Sequence, residues 1–176
     1  MSVVEVRSTI PADLDTLSNV LVRVHAIDGY PVEGVAAPRT WIDLPEALGQ
    51  WTALLDGEPV GHVALMPPGP GDLAPDLLAK DVETLGLPEI AVVARLFVDP
   101  RARGREAAKR LLDVVEVWAL RRGLTPALDV MKKDGAAIRL YESRGWHLLG
   151  EVEHPRPDSR SEPAYAYALR PLTATE

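Results

Sequence analysis

The chain has 176 residues, 47% of them hydrophobic and 26% charged, with a net charge of −7. That length suits one compact globular domain or two very small ones, and the balance excludes a disordered chain. The acidic total argues against nucleic acid held by general electrostatic attraction, no run reaches the ~20 apolar residues of a membrane span, and the lack of cysteine removes disulfides, thiolate nucleophiles and Cys-based zinc sites.

The first residues, Met-Ser-Val-Val-Glu-Val-Arg, show neither a basic leader nor a long apolar run, so a reducing, cytoplasmic setting is expected. Val3 to Arg7 alternates like a half-buried strand. Pro11 suits a first helical turn, Asp13 sits near the positive helix end, and Leu14, Leu17, Leu21 and Val24 recur at helical spacing, which predicts a helix over 11–26. Residues 28–49 are rich in Pro and Gly around Trp41 and Leu44 and predict a loop with a short second helix. Trp51–Leu55 and Val60–Leu65, joined by Asp56-Gly57-Glu58-Pro59, read as a hairpin. Residues 67–88 are an excursion between strands, with a helical turn near Leu77.

Ile90–Val98 is a long apolar strand that ends at Asp99-Pro100. The helix over 105–122 places Leu111, Leu112, Val115, Trp118 and Ala119 on one face and stops at Gly123. A short strand at Leu128–Val130, a helix at Ala136–Arg144 closed by Gly145, and strands at His147–Val152 and Tyr165–Leu169 complete the order. The pattern is a mixed α/β sheet with helices on its faces. Neither a repeat nor a linker divides it.

Residues 101–110, Arg-Ala-Arg-Gly-Arg-Glu-Ala-Ala-Lys-Arg, hold five cations and one anion inside an acidic chain. A strand feeding a basic turn and then a helix N-terminus presents backbone N–H groups in a concave arc, which suits phosphate oxygens. The spacing matches neither a P-loop nor a dinucleotide fingerprint. A solvated helix end is the competing explanation for the same charges.

Two segments carry a resemblance. Ala94 to Leu112 (Ala-Arg-Leu-Phe-Val-Asp-Pro-Arg-Ala-Arg-Gly-Arg-Glu-Ala-Ala-Lys-Arg-Leu-Leu) resembles motif A of the GCN5-related N-acetyltransferase (GNAT) family, and Asp134 to Trp146 (Asp-Gly-Ala-Ala-Ile-Arg-Leu-Tyr-Glu-Ser-Arg-Gly-Trp) resembles its motif B, in the family's order and spacing. The resemblance implies a single GNAT domain over 1–176, a central, mostly antiparallel sheet with helices on both faces, and an acetyl-CoA-dependent N-acetyltransferase. The acceptor would be a primary amine, with a small molecule favoured by the long excursion at 66–89, attacking directly in a ternary complex. No metal, nucleic acid or membrane is implied, and a homodimer is compatible with the family.

Carried over residue by residue, the backbone of Leu96, Phe97 and Val98 would pair with the pantetheine arm. The amides of Arg103, Gly104, Arg105, Glu106, Ala107 and Ala108 would hold the pyrophosphate. Asp134 and Ala137 of the second motif would join the coenzyme contacts. Tyr141 matches the tyrosine that protonates the departing thiolate, a role a positioned phenol can fill. Segments 28–45 and 66–89 would hold the amine.

Two positions depart from the pattern. Glu106 stands where a glycine is usual, and a carboxylate some 6 Å from a pyrophosphate would repel it by roughly 1–1.5 kcal/mol at an effective dielectric near 40. It can avoid this by turning outward toward Arg103 or Lys109. Asp134 replaces the usual asparagine, with the capacity to cap its helix. The general base is left open. Val92 stands where many relatives have glutamate, and Glu89, His62, Asp28, Asp72 and Asp76 are the available titratable groups. The four histidines, His25, His62, His147 and His154, show no metal-ligand spacing. Two other readings share the fold: acyl-CoA binding without turnover, and acetylation of a protein N-terminus or lysine.

Overall fold

The computed structural model describes residues 2–70, 72–78 and 89–170. In chain order its elements are β1 (Val4–Ser8), α1 (Leu14–Asp28), α2 (Pro38–Ile42), β2 (Gly49–Leu55), β3 (Glu58–Met66), α3 (residues 73–78), β4 (Glu89–Val98), α4 (Ala107–Arg121), β5 (Leu124–Met131), α5 (Gly135–Ser143), β6 (His147–Pro155) and β7 (Ser161–Ala168). The strands hydrogen-bond in the order β1-β2-β3-β4-β5-β7-β6. The pairs β1–β2, β2–β3, β5–β7 and β6–β7 run antiparallel, and β4–β5 runs parallel. This is the mixed, mostly antiparallel α/β architecture expected. The helical turn expected near Leu77 is α3; the rest of that excursion, residues 79–88, lies outside the described residues.

One compact unit comprises Met1–Met66 and Val93–Val115. Leu14, Leu17, Val20, Leu21 and Val24 of α1 lie on one face at helical spacing and form a core with Ile42 and Phe97. The helix starts at Leu14, not Pro11, because Pro11–Asp13 close a tighter 3₁₀ turn. Asp13 organises that start. Its carboxylate accepts hydrogen bonds from the Ile10 amide at 2.9 Å, the Thr52 hydroxyl at 3.1 Å and two N–H groups of Arg7 at 2.7 and 2.8 Å. Gly61 of β3 permits a close approach to β4, since a Cβ there would meet the Phe97 carbonyl oxygen at 3.0 Å.

The other unit comprises Pro67–Val92 and Glu116–Glu176. Ala74 and Leu78 of α3 pack on Ala127, Ala166 and Ala168, and these small side chains let α3 lie close to the strands. The strand predicted at Leu128–Val130 is longer, Leu124–Met131, and runs through Pro126. Proline lacks the amide but keeps its carbonyl, which accepts from Leu169 N–H at 2.9 Å. The loop predicted between the last two strands is also shorter than expected. Arg156 N–H donates to the Arg160 carbonyl at 2.8 Å, and ion pairs of Arg156 with Glu162 and Arg160 with Asp158 draw the turn tight, so strand pairing extends to Pro155 and Ser161.

Candidate functional site

At the end of β4 the chain is pinned by Asp99. Its amide donates to the Val60 carbonyl at 2.7 Å, and its carboxylate accepts from Arg23 Nη2 at 2.7 Å, Arg101 Nη2 at 2.9 Å and the Arg101 amide at 3.0 Å. Burial pushes the Asp99 pKa up, but the Arg101 and Arg23 hydrogen bonds outweigh it and hold the carboxyl well below the usual range. A 3₁₀ turn over Pro100–Ala102 follows, and then two residues adopt left-handed backbone: Gly104 at φ 76° and Glu106 at φ 64°. These reversals explain why α4 starts at Ala107 and not at residue 105. The first helical bond runs from the Arg110 amide to the Glu106 carbonyl at 3.0 Å, so the Ala107, Ala108 and Lys109 amides precede the helical ladder. A Cβ built on Gly104 would meet nothing within 4 Å, which leaves its backbone open to a ligand. Ala107 is buried, whereas Arg103, Gly104, Arg105 and Glu106 are exposed. The turn therefore offers amides, cations and open space together, and its residues fit an anionic group.

Carboxylates already engage several of the cations. Arg101 meets Asp99, Arg103 meets Asp28, and Lys109 Nζ lies 3.7 Å from Glu106. Glu106 thus turns toward Lys109, one of the two partners expected for it. Its left-handed φ gives the physical reason that glycine suits the position: a side chain there costs about 1 kcal/mol of backbone strain. Asp28, read as a residue of the acceptor segment, is the ion-pair partner of Arg103.

In β4, the parallel ladder to β5 runs from Glu89 opposite Leu124 to Val92 opposite Ala127. The strand continues through Leu96, Phe97 and Val98, with Phe97 buried and its neighbours half-buried. Arg95 adopts φ 56° in mid-strand. Its carbonyl faces His62 Nδ1 at 2.9 Å, and His62 Nε2 lies 3.0 Å from the Gln50 side-chain amide nitrogen. A carbonyl only accepts, so His62 carries its proton on Nδ1 and accepts at Nε2. Burial pushes its pKa down to about 4. Both ring nitrogens are engaged, so His62 is a neutral strut with no lone pair to offer a substrate.

Tyr141 lies on α5, buried, with its ring 5.5 Å from that of Trp146 and 6.4 Å from that of Tyr167. Burial, with a smaller contribution from Asp134, pushes its phenol well above the usual range, so it stays protonated at neutral pH. Trp146 donates to Glu116 at 2.8 Å, and Arg144 holds the same carboxylate, which fixes the end of α5. Asp134 stands at the N-cap but makes no side-chain capping bond, because its ψ of 62° departs from the extended geometry a cap uses. Ala137 is half-buried on α5.

Of the other titratable candidates, Glu89 and Asp76 are exposed, and Asp72 accepts from the Gly69 amide at 2.6 Å; Val92, which has no titratable group, is buried. Sequence reasoning missed Asp129 on β5. Burial raises its pKa despite hydrogen bonds from the Leu73 and Ala74 amides, and its Oδ1 is buried without a partner. The available signal was a carboxylate between Leu128 and Val130 in an apolar strand. Among the described residues no group of three or more His, Asp or Glu side chains is placed to hold a metal, and no helix is long and apolar enough to cross a membrane.

No curated protein sequence matches the chain. The ribosomal-protein-S18-alanine N-acetyltransferase of Escherichia coli is 20% identical, covering 98% of this chain and 97% of its own, with a TM-score of 0.67. Arabidopsis thaliana NAA60, solved with acetyl-CoA, is 17% identical over 96% of this chain and 99% of its own, at a TM-score of 0.69. The Drosophila melanogaster polyamine N-acetyltransferase, which forms N-acetylagmatine, is 18% identical over 96% and 100%, at 0.68. At such identities these structures show a shared fold. Residues 19–146, which include both motifs, match the model of the acetyltransferase (GNAT) family, and the chain belongs to that family.

Proposed function

We propose that the chain, acting as one domain over 1–176, transfers the acetyl group of acetyl-CoA to the primary amine of a small molecule by direct attack in a ternary complex. Membership of an acetyltransferase family makes it a transferase with acetyl-CoA as co-substrate. The observation that carries the reading is the β4-to-α4 junction, where left-handed Gly104 and Glu106 precede the free amides of a 15-residue helix. The main chain of Leu96, Phe97 and Val98 would receive the pantetheine amides, and the amides from Arg103 to Ala108 the pyrophosphate. Asp134 and Ala137 would complete the contacts. When bound, the co-substrate supplies an activated thioester. The backbone near Leu96 to Val98 stabilises charge on its carbonyl oxygen. Tyr141, protonated at neutral pH as an ordinary phenol is, would give its proton to the leaving thiolate. Segment 28–45 would hold the acceptor amine.

Calorimetry with CoA and a thiol-release assay over a panel of amines test this. Saturable CoA binding and amine-dependent thiol release are expected. A protein with no CoA association at millimolar concentration would end the proposal. Glu106, a carboxylate on the phosphate turn, favours one second reading, acyl-CoA binding without turnover, in which CoA binds but no amine releases thiol above the hydrolysis background.

A further inference from the structure

Arg95 differs from four other arginines of its unit. Arg7, Arg23, Arg101 and Arg103 of the same unit each meet a carboxylate. Arg95 is half-buried and, among the described residues, meets none. Its guanidinium carbon lies 4.1 Å from the centroid of the Trp41 ring. The indole is itself held, edge-to-face with Tyr30 at 5.7 Å and tilted against Phe97 at 6.2 Å. Trp41 Nε1 is buried and has no hydrogen-bond partner. Guanidinium and indole N–H only donate, so an unsatisfied donor and an uncompensated cation share one indole. What satisfies both is an anion rich in acceptor atoms.

The backbone points the same way. Arg95 holds a left-handed φ of 56°, uncommon for a side-chain-bearing residue inside a strand, and its carbonyl is fixed by His62. Leu96, the next residue, begins the stretch proposed to face the acyl donor. Tyr30 and Trp41 lie in the segment proposed to hold the amine. An anion at Arg95 would therefore sit beside the reacting end, where the cationic tail of a polyamine would face a like charge.

We propose that Arg95 and the Trp41 indole N–H bind a carboxylate on the acceptor, so that the substrate class is an amine of amino-acid size carrying an acidic group. This rests on the acetyltransferase reading and narrows it. The carboxylate is anchored by two N–H groups of the guanidinium and by the indole, which fixes the amine at the far end of the molecule.

The test compares amines matched in size: 3-aminopropanoate against 3-aminopropanamide, glutamate against glutamine, and spermidine as a cationic reference. In the thiol-release assay the acid of each pair should exceed its amide by at least about tenfold in kcat/KM, as expected for a charge-assisted hydrogen bond. Arg95→Gln should abolish that preference, raising KM for the acid by about tenfold and for the amide by clearly less. A preference for the amide or for spermidine, or an equal fall for acid and amide in Arg95→Gln, overturns the inference. Quenching of tryptophan fluorescence by 3-aminopropanoate gives a readout without turnover. It should be seen in the wild type and be lost in both Arg95→Gln and Trp41→Phe; equal quenching by the amide also overturns it. Failure of CoA to bind in calorimetry, with carboxylate binding intact, would remove the transferase reading and leave this site standing.

Discussion

Two strand-to-helix junctions in this molecule look alike in sequence and are built for different ends. Between β4 and α4, eight residues intervene, two of them left-handed, and the main chain opens its amides before the helix begins. Between β5 and α5 only Lys132, Lys133 and Asp134 intervene. There Lys132 pairs with Glu151 at 2.7 Å and Lys133 with Glu162 at 3.4 Å, while the Lys132 amide donates to the Pro163 carbonyl. Both turns are basic. In the second, the cations are tied to neighbouring strands and the junction serves to set the angle of α5 and its Tyr141. In the first, Arg105 makes no ion pair among the described residues, and the backbone itself is the surface proposed to bind the pyrophosphate. Positive charge in a turn is a weak guide to anion binding. The backbone conformation and the fate of each cation are better ones.

The largest expected effect on this contrast comes from Asp99→Ala, which removes a buried carboxylate bound to two guanidinium groups and should destabilise the protein by about 2–3 kcal/mol in urea unfolding. Because the folded pKa of Asp99 lies below its unfolded value, the stabilisation is fully present above about pH 4 and is lost as pH falls further. Asp99→Asn should flatten that acidic limb; an unchanged acid titration of the urea midpoint would show that the first junction does not depend on its anchor.

Next is Tyr141→Phe on α5, the helix that the second junction leads into. If that junction exists to position a proton donor, kcat should fall roughly 10- to 100-fold while the melting temperature shifts little. A variant with wild-type kcat would make Tyr141 a packing residue beside Trp146 and Tyr167, and would break the functional half of the comparison.

Glu106→Gly should tighten CoA binding roughly two- to fivefold by removing an exposed like charge. It relieves a left-handed side chain but gives up the Lys109 pair and adds unfolded-chain freedom, so stability should be nearly unchanged. Weaker or equal affinity in calorimetry would show that the carboxylate does not oppose the ligand. The smallest contrast is between two single charges. Arg105→Gln should weaken CoA a fewfold and flatten its salt dependence, whereas Lys133→Gln should leave both within about twofold.

Much of this was legible in the chain. The period of Leu14, Leu17, Leu21 and Val24 gave α1, and the two motifs gave the family. Boundaries failed where a local rule met a tertiary partner. Pro126 reads as a strand breaker, yet its carbonyl pairs with Leu169. The stretch after Val152 reads as a loop, yet ion pairs close it into a hairpin. Asp129 and Arg95 were not singled out, because an isolated charged residue in an apolar run gives no sign of what it faces.

What the sequence by itself determined is whatever depends on near neighbours: apolar periodicity, the stop at Gly123, the basic run from Arg101 to Arg110, and the order of the two motifs. Only the tertiary structure decided which charges are spent. It paired Asp28 with Arg103 and Arg23 with Asp99 across some 75 residues of chain, turned Glu106 onto Lys109, and left Arg95 over Trp41 with no counter-ion among the described residues. The reason is physical. A side chain's conformation is biased by the residues beside it, whereas its charge and its spare hydrogen bonds are settled by whatever the fold brings near.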